Sequence, residues 1–148
     1  EYLRVPRQWR SDDIGRFMLR IGPISSLFDL LAFGALWYLF GANSVASQRV
    51  FQTGWFIVGL VTQTIVVHVI RTSHRPLIDS RASLPLVAGT LTVIAAGMIL
   101  PLTPLGPLLG FVRPVGSFYL FAVACAVAYV LAVQWVKRWY IARYHAWL

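Results

Sequence analysis

Residues 21–40 read IGPISSLFDLLAFGALWYLF, twenty positions in which only Ser25, Ser26 and Asp29 break an apolar run. A bilayer core about 30 Å thick is crossed by ~20 apolar residues of helix at 1.5 Å per residue. The run is apolar around most of its circumference, unlike the single stripe of a surface helix. It therefore reads as a membrane-spanning helix, and three similar runs follow. Phe51 to Ile70 is interrupted by Gln52, Gln63 and three Thr, Leu84 to Leu100 is somewhat short, and Phe118 to Val136 is the last. The expected fold is all-α, an integral membrane bundle of four transmembrane helices over residues 21–136. Residues 1–20 form a lead-in segment and 137–148 a basic, aromatic tail. Gly34, Gly59, Gly89 and Gly97 inside the runs fit closely packed membrane helices.

The composition agrees. Of 148 residues 58% are hydrophobic and 12% charged, with a mean hydropathy of +0.69. Soluble domains carry about 25% charged residues, so a soluble enzyme is excluded. Thirteen Lys and Arg against five Asp and Glu give a net charge of +8, a balance often associated with nucleic acid. Placement removes that reading. Eleven of the thirteen bases lie in the lead-in segment, the middle connection or the tail, and only Arg49 and Arg113 lie in the other two connections. By the positive-inside rule both chain ends and the middle connection are cytoplasmic. Trp37, Tyr38, Trp55, Trp135, Trp139 and Tyr140 fall near the run boundaries, where Trp and Tyr favour the headgroup level. Pro101, Pro104, Pro107 and Pro114 argue against helix in the third connection, whose Leu and Val residues read as a chain hugging the membrane surface. Cys125 is the single cysteine, which excludes an internal disulfide. The first residues are not a signal peptide, and the absence of an initial Met is expected of a piece or a processed product.

Polar residues at depth are the candidate functional groups. Asp29 is the one acid inside an apolar run, and a lone carboxylate there costs roughly 2.5–3.5 kcal/mol on insertion scales. It faces other helices, a water-filled cavity or a cation. Ser25 and Ser26 precede it by four and three residues, on one helical face. Oxygen ligands of this kind suit a hard cation such as magnesium, though three side chains of one helix do not complete a site. The competing reading is that Asp29 is a packing residue, protonated or hydrogen-bonded. Gln63 sits at similar depth on the second run and reads either as interhelical hydrogen-bond glue or as a weaker contributor to ion coordination. His68, one turn from a boundary, has no second ligand at metal spacing. Glycine-rich phosphate loops, soluble catalytic triads and paired CxxC units are absent.

The stretch Asp13-Ile14-Gly15-Arg16-Phe17-Met18 followed by Ile21-Gly22-Pro23-Ile24-Ser25-Ser26-Leu27-Phe28-Asp29 resembles the entry to the seventh membrane helix of bacterial magnesium-transporting P-type ATPases. Phe51-Gln52-Thr53-Gly54-Trp55-Phe56, with Gln63-Thr64 and His68-Val69-Ile70-Arg71-Thr72, is similar to that family's eighth helix, and the likeness runs on through Pro101-Leu102-Thr103-Pro104-Leu105 to Arg143-Tyr144. The resemblance implies a C-terminal support bundle, helices seven to ten, of a ten-helix importer of magnesium driven by ATP in the bacterial inner membrane. It implies that Asp29 contributes to the ion pathway. Magnesium is then the transported substrate. The partners are the bilayer, the remaining membrane helices and the cytoplasmic domains of the pump, with no nucleic acid. The signatures DKTG, TGE and GDGxND are missing, so ATP and catalytic magnesium belong to a part outside this chain, which does not hydrolyse ATP alone. The alternative is a stand-alone four-helix membrane protein that binds or stabilises another membrane protein.

Overall fold

The computed structural model describes residues 11–70 and 82–144. Among these the structure is helical, with no strand: α1 is Ser11–Tyr38, α2 Gln48–Ile70, α3 Leu84–Ile99, α4 the single turn Leu105–Leu108, and α5 Gly116–Tyr144. Short 3₁₀ turns at Val45–Ser47 and Leu100–Leu102 complete the two described connections. Four helices are long and apolar enough to cross a membrane, with spans at Met18–Tyr38, Val45–Ile70, Leu84–Leu102 and Gly116–Arg143. The α1–α2 and α3–α5 connections lie at one end of the bundle, here the loop end, and α1 starts and α5 finishes at the other, the terminal end.

Two helices outrun the apolar segments that announced them. α1 starts in the lead-in segment and passes through Pro23, which removes the bond to the Leu19 carbonyl without ending the helix. α5 continues through residues assigned to the tail. Hydropathy marks where lipid begins, whereas the i to i−4 ladder carries on wherever the backbone allows. α1 ends where Gly41, at φ 63°, lets the Ala42 N–H turn back onto the Leu36 carbonyl at 2.9 Å. The middle connection, residues 71–81, the chain start and the last four residues lie outside the described residues, and with them Arg71, Arg75 and Arg81.

α2 is the hub, packing on α1, α5 and α3, while α1 also packs on α5. Its buried residues Thr53, Ile57 and Val61 follow a four-residue spacing that half-buried Ile65 carries on to buried Val69, flanked by Gly54, Val58 and Thr62. The Thr hydroxyls are satisfied within the helix, Thr53 donating to the Arg49 carbonyl at 2.7 Å and Thr62 to that of Val58 at 2.9 Å. One apolar cluster fills the loop end around Leu36, Ile57, Phe118 and Ala122. A second fills the terminal end around Ile21, Val69, Tyr129, Val133 and Tyr140.

α3 is peripheral, with Gly97 its one buried residue. There it meets Leu60 of α2 so closely that a Cβ would collide with the leucine side chain. Positions 34, 59 and 89, also expected to be close contacts, have open space where a Cβ would be. His68 fastens the other half of α3. Its Nε2 lies 2.8 Å from the Thr90 hydroxyl, whose own hydrogen goes to the Leu86 carbonyl at 2.7 Å, so His68 is the donor. The buried Nδ1 is then an acceptor without a hydrogen-bond partner among the described residues.

The third connection contains helical turns despite its prolines. Pro101 sits in the 3₁₀ turn and Pro104 before α4, positions where a missing N–H removes no established helical bond. The connection folds back on α2: the Val112 N–H donates to Thr53 Oγ1 at 3.0 Å, and Phe111 lies against Phe56 with ring centroids 4.8 Å apart.

Candidate functional site

Asp29 stands eleven residues into the 21-residue span Met18–Tyr38, so it lies near mid-membrane, about 16 Å from the span's start. It is half-buried. Ser25, one turn earlier on the same face, shares a hydrogen bond of 2.9 Å with the Tyr129 hydroxyl of α5. Asp29 lies within electrostatic reach of the same hydroxyl. Tyr129 is itself fixed, its ring almost completely buried and set edge-on to Phe28 with centroids 5.3 Å apart. The three residues form a polar node between α1 and α5, enclosed toward the terminal end by apolar packing. The other two candidates are not part of it. Ser26 and Gln63 are exposed on the outer faces of α1 and α2, so Gln63 does not glue the described helices together.

The node offers oxygen atoms that can accept hydrogen bonds from a cation's water shell. Among the described residues there is no group of three or more His, Cys, Asp and Glu able to enclose a metal ion. Its contribution is therefore a single carboxylate with two hydroxyls beside it.

Toward the terminal end, Lys137 is buried and its Nζ donates to the Val69 carbonyl at 3.1 Å. Val69 is in the last turn of α2, where carbonyls lack helical partners and the helix dipole favours a cation. α5 thus caps α2 from outside. Close by, the Arg20 guanidinium of α1 sits 5.1 Å from the centroid of the Trp139 ring of α5.

Sequence reasoning missed Tyr129 and Lys137. Tyr129 lies mid-run, away from the boundary aromatics, and carries no signal of its own in the sequence. Lys137 read as one more tail base. Its spacing of four from Val133 and three to Tyr140 extends the buried stripe of α5 and was the available signal.

The family model for the C-terminus of cation-transporting ATPases matches residues 4–139. The chain belongs to that family. As such a C-terminal domain it is 47% identical over 147 residues to a magnesium-transporting ATPase, P-type 1, of Salmonella typhimurium, covering 99% of this chain and 16% of that protein. A second protein of that name from Salmonella typhimurium is 44% identical over 144 residues, and one from Escherichia coli 43% over 144; each match covers 97% of this chain and 16% of the relative. The domain thus spans about one sixth of the length of these relatives. The four spans and the family membership together make it a multi-pass membrane domain of the cation-transporting ATPase C-terminal family.

Proposed function

We propose that this segment is the C-terminal support domain of an ATP-driven magnesium importer of the bacterial inner membrane, with both of its ends cytoplasmic. The observation that carries the reading is the node at mid-membrane, where the one acid of the four spans lies one turn from the Ser25–Tyr129 bond between α1 and α5, within a domain similar to magnesium-transporting relatives. Asp29 supplies a carboxylate to the ion path. Magnesium keeps several of its waters when bound, so one carboxylate and nearby hydroxyls suit contact through the hydration shell. The remaining ligands, ATP and its catalytic magnesium reside in the rest of the pump. Ser26 and Gln63, exposed on outward faces, contribute on this reading only through contact with that remainder.

Asp29→Asn in the full-length protein, expressed in a bacterium lacking its own magnesium uptake, is expected to abolish growth at low magnesium while the protein stays in the membrane at normal abundance. Unchanged uptake of magnesium by the variant returns Asp29 to a packing role. The coding sequence upstream distinguishes the pump from the stand-alone reading, since the pump requires DKTG and GDGxND there.

A further inference from the structure

α1 is held firmly at two places and loosely between them. Ile21 is buried in the terminal-end cluster and Ala32 in the loop-end cluster, and none of positions 22–31 is fully buried. The loose stretch contains Pro23, where one rung of the helical ladder is missing and a helix bends most easily. It also contains Asp29. Among the described residues the Asp29 carboxylate has no hydrogen-bond partner, so its place is inherited from the backbone of its own turn. What fixes that turn is Tyr129 of α5. Its hydroxyl shares the 2.9 Å bond with Ser25, one turn before Asp29, and its ring stands edge-on to Phe28, the neighbour of Asp29, with centroids 5.3 Å apart. The side chain that makes both contacts is 1% exposed and anchored in the terminal-end cluster.

We propose that Tyr129 is a positioning residue for magnesium transport, fixing through Ser25 the rotation of the Asp29 turn and so the place at which the carboxylate meets the ion. The proposal rests on the reading of Asp29 as part of the ion path. Ile24 and Phe28 also pack on the terminal-end cluster, but apolar packing is non-directional and lets a helix turn or slide a little about its axis. A hydrogen bond has a direction and a length, and the one to Tyr129 ties the stretch beyond Pro23 to a helix that does not move with it. Without the hydroxyl the fold stands, because the ring contact and both clusters remain. What changes is the fraction of molecules that hold Asp29 in place. Apparent affinity for the ion falls in proportion to that fraction, while the rate of the loaded protein is untouched.

The test is uptake of magnesium, at graded external concentration, by cells that lack their own uptake and carry the full-length protein, with each rate divided by the amount of protein in the membrane. Tyr129→Phe, which keeps the ring, is expected to raise the half-saturating concentration about three-fold and leave the maximal rate unchanged, the scale on which one lost hydrogen bond shifts an equilibrium. Ser25→Ala is expected to give the same shift and the double variant no more, since the two hydroxyls act through one bond. Gly97→Val, which strains the fold at α3 and away from the node, is expected to lower the melting temperature without moving the half-saturating concentration. An unchanged half-saturating concentration in Tyr129→Phe, while Asp29→Asn abolishes uptake, overturns the positioning role and leaves Asp29 in the path. A fall in maximal rate alone, shifts that add in the double variant, or an equal shift in Gly97→Val also overturn it. Unchanged uptake by Asp29→Asn overturns both readings together.

Discussion

The Ser25 hydroxyl meets that of Tyr129 across a sequence separation of 104 residues, in an environment where alternatives to that bond are few. Tyr129→Phe keeps the edge-on ring contact with Phe28 and removes only the hydroxyl. Ser25 can then turn to a carbonyl of its own helix, so the expected loss is small, about 0.6–1.7 kcal/mol. A thermal-unfolding cycle with Ser25→Ala checks it, and the two single changes are expected to be non-additive. Lys137→Met preserves the apolar stem and deletes the donors, leaving the Val69 carbonyl uncapped in a buried place. A loss of about 1–3 kcal/mol is expected, read as a lower melting temperature of the full-length protein in detergent. Asp29 was legible because a charge inside an apolar run is an anomaly of composition, visible without any fold. Tyr129 was not, because a tyrosine is compatible with lipid, interface and core alike, and only packing against α1 makes it a partner. Lys137 lay between these cases. Its charge pointed to the membrane boundary, while its spacing from Val133 pointed inward, and the second signal describes its side chain.

Elements were more legible than residues. Four spans followed from run length alone, because the bilayer sets a minimum that few other structures meet. Their ends did not follow, since α1 and α5 extend beyond the hydrocarbon region on the terminal side. Glycine was the least transferable signal. It promises close approach only where another helix is present, and within the described bundle that holds at position 97 and not at 34, 59 or 89. Gly97→Val is therefore expected to push α3 off Leu60 at a cost of about 1–3 kcal/mol, whereas Gly89→Ala is expected to leave stability within a few tenths of a kcal/mol or raise it. Melting temperatures of the two variants side by side test the contrast. If Gly97→Val melts no lower than Gly89→Ala, α3 is not held at that contact.

At the scale of the molecule, two apolar clusters and a central α2 organise a bundle whose outer faces remain strongly apolar, with Leu30, Leu120 and Leu131 each about two-thirds or more exposed. Such faces suit lipid or further membrane helices, and the matched relatives are about six times as long as this chain. The fold class was legible at this scale, and the pairing of helices was not, because lipid-facing and helix-facing leucines look alike in sequence. The capping of α2 by Lys137 also bears on how the protein is made. Val69 and Lys137 are separated by 68 residues, and the α1 node waits even longer for Tyr129. A ribosome delivers α1, α2 and α3 to the membrane before any of these partners exists. The first three spans must therefore be held, by lipid, water or the insertion machinery, as an open intermediate with an uncapped helix end and a Ser25 hydroxyl lacking its tyrosine. The last helix is the one whose arrival closes the bundle.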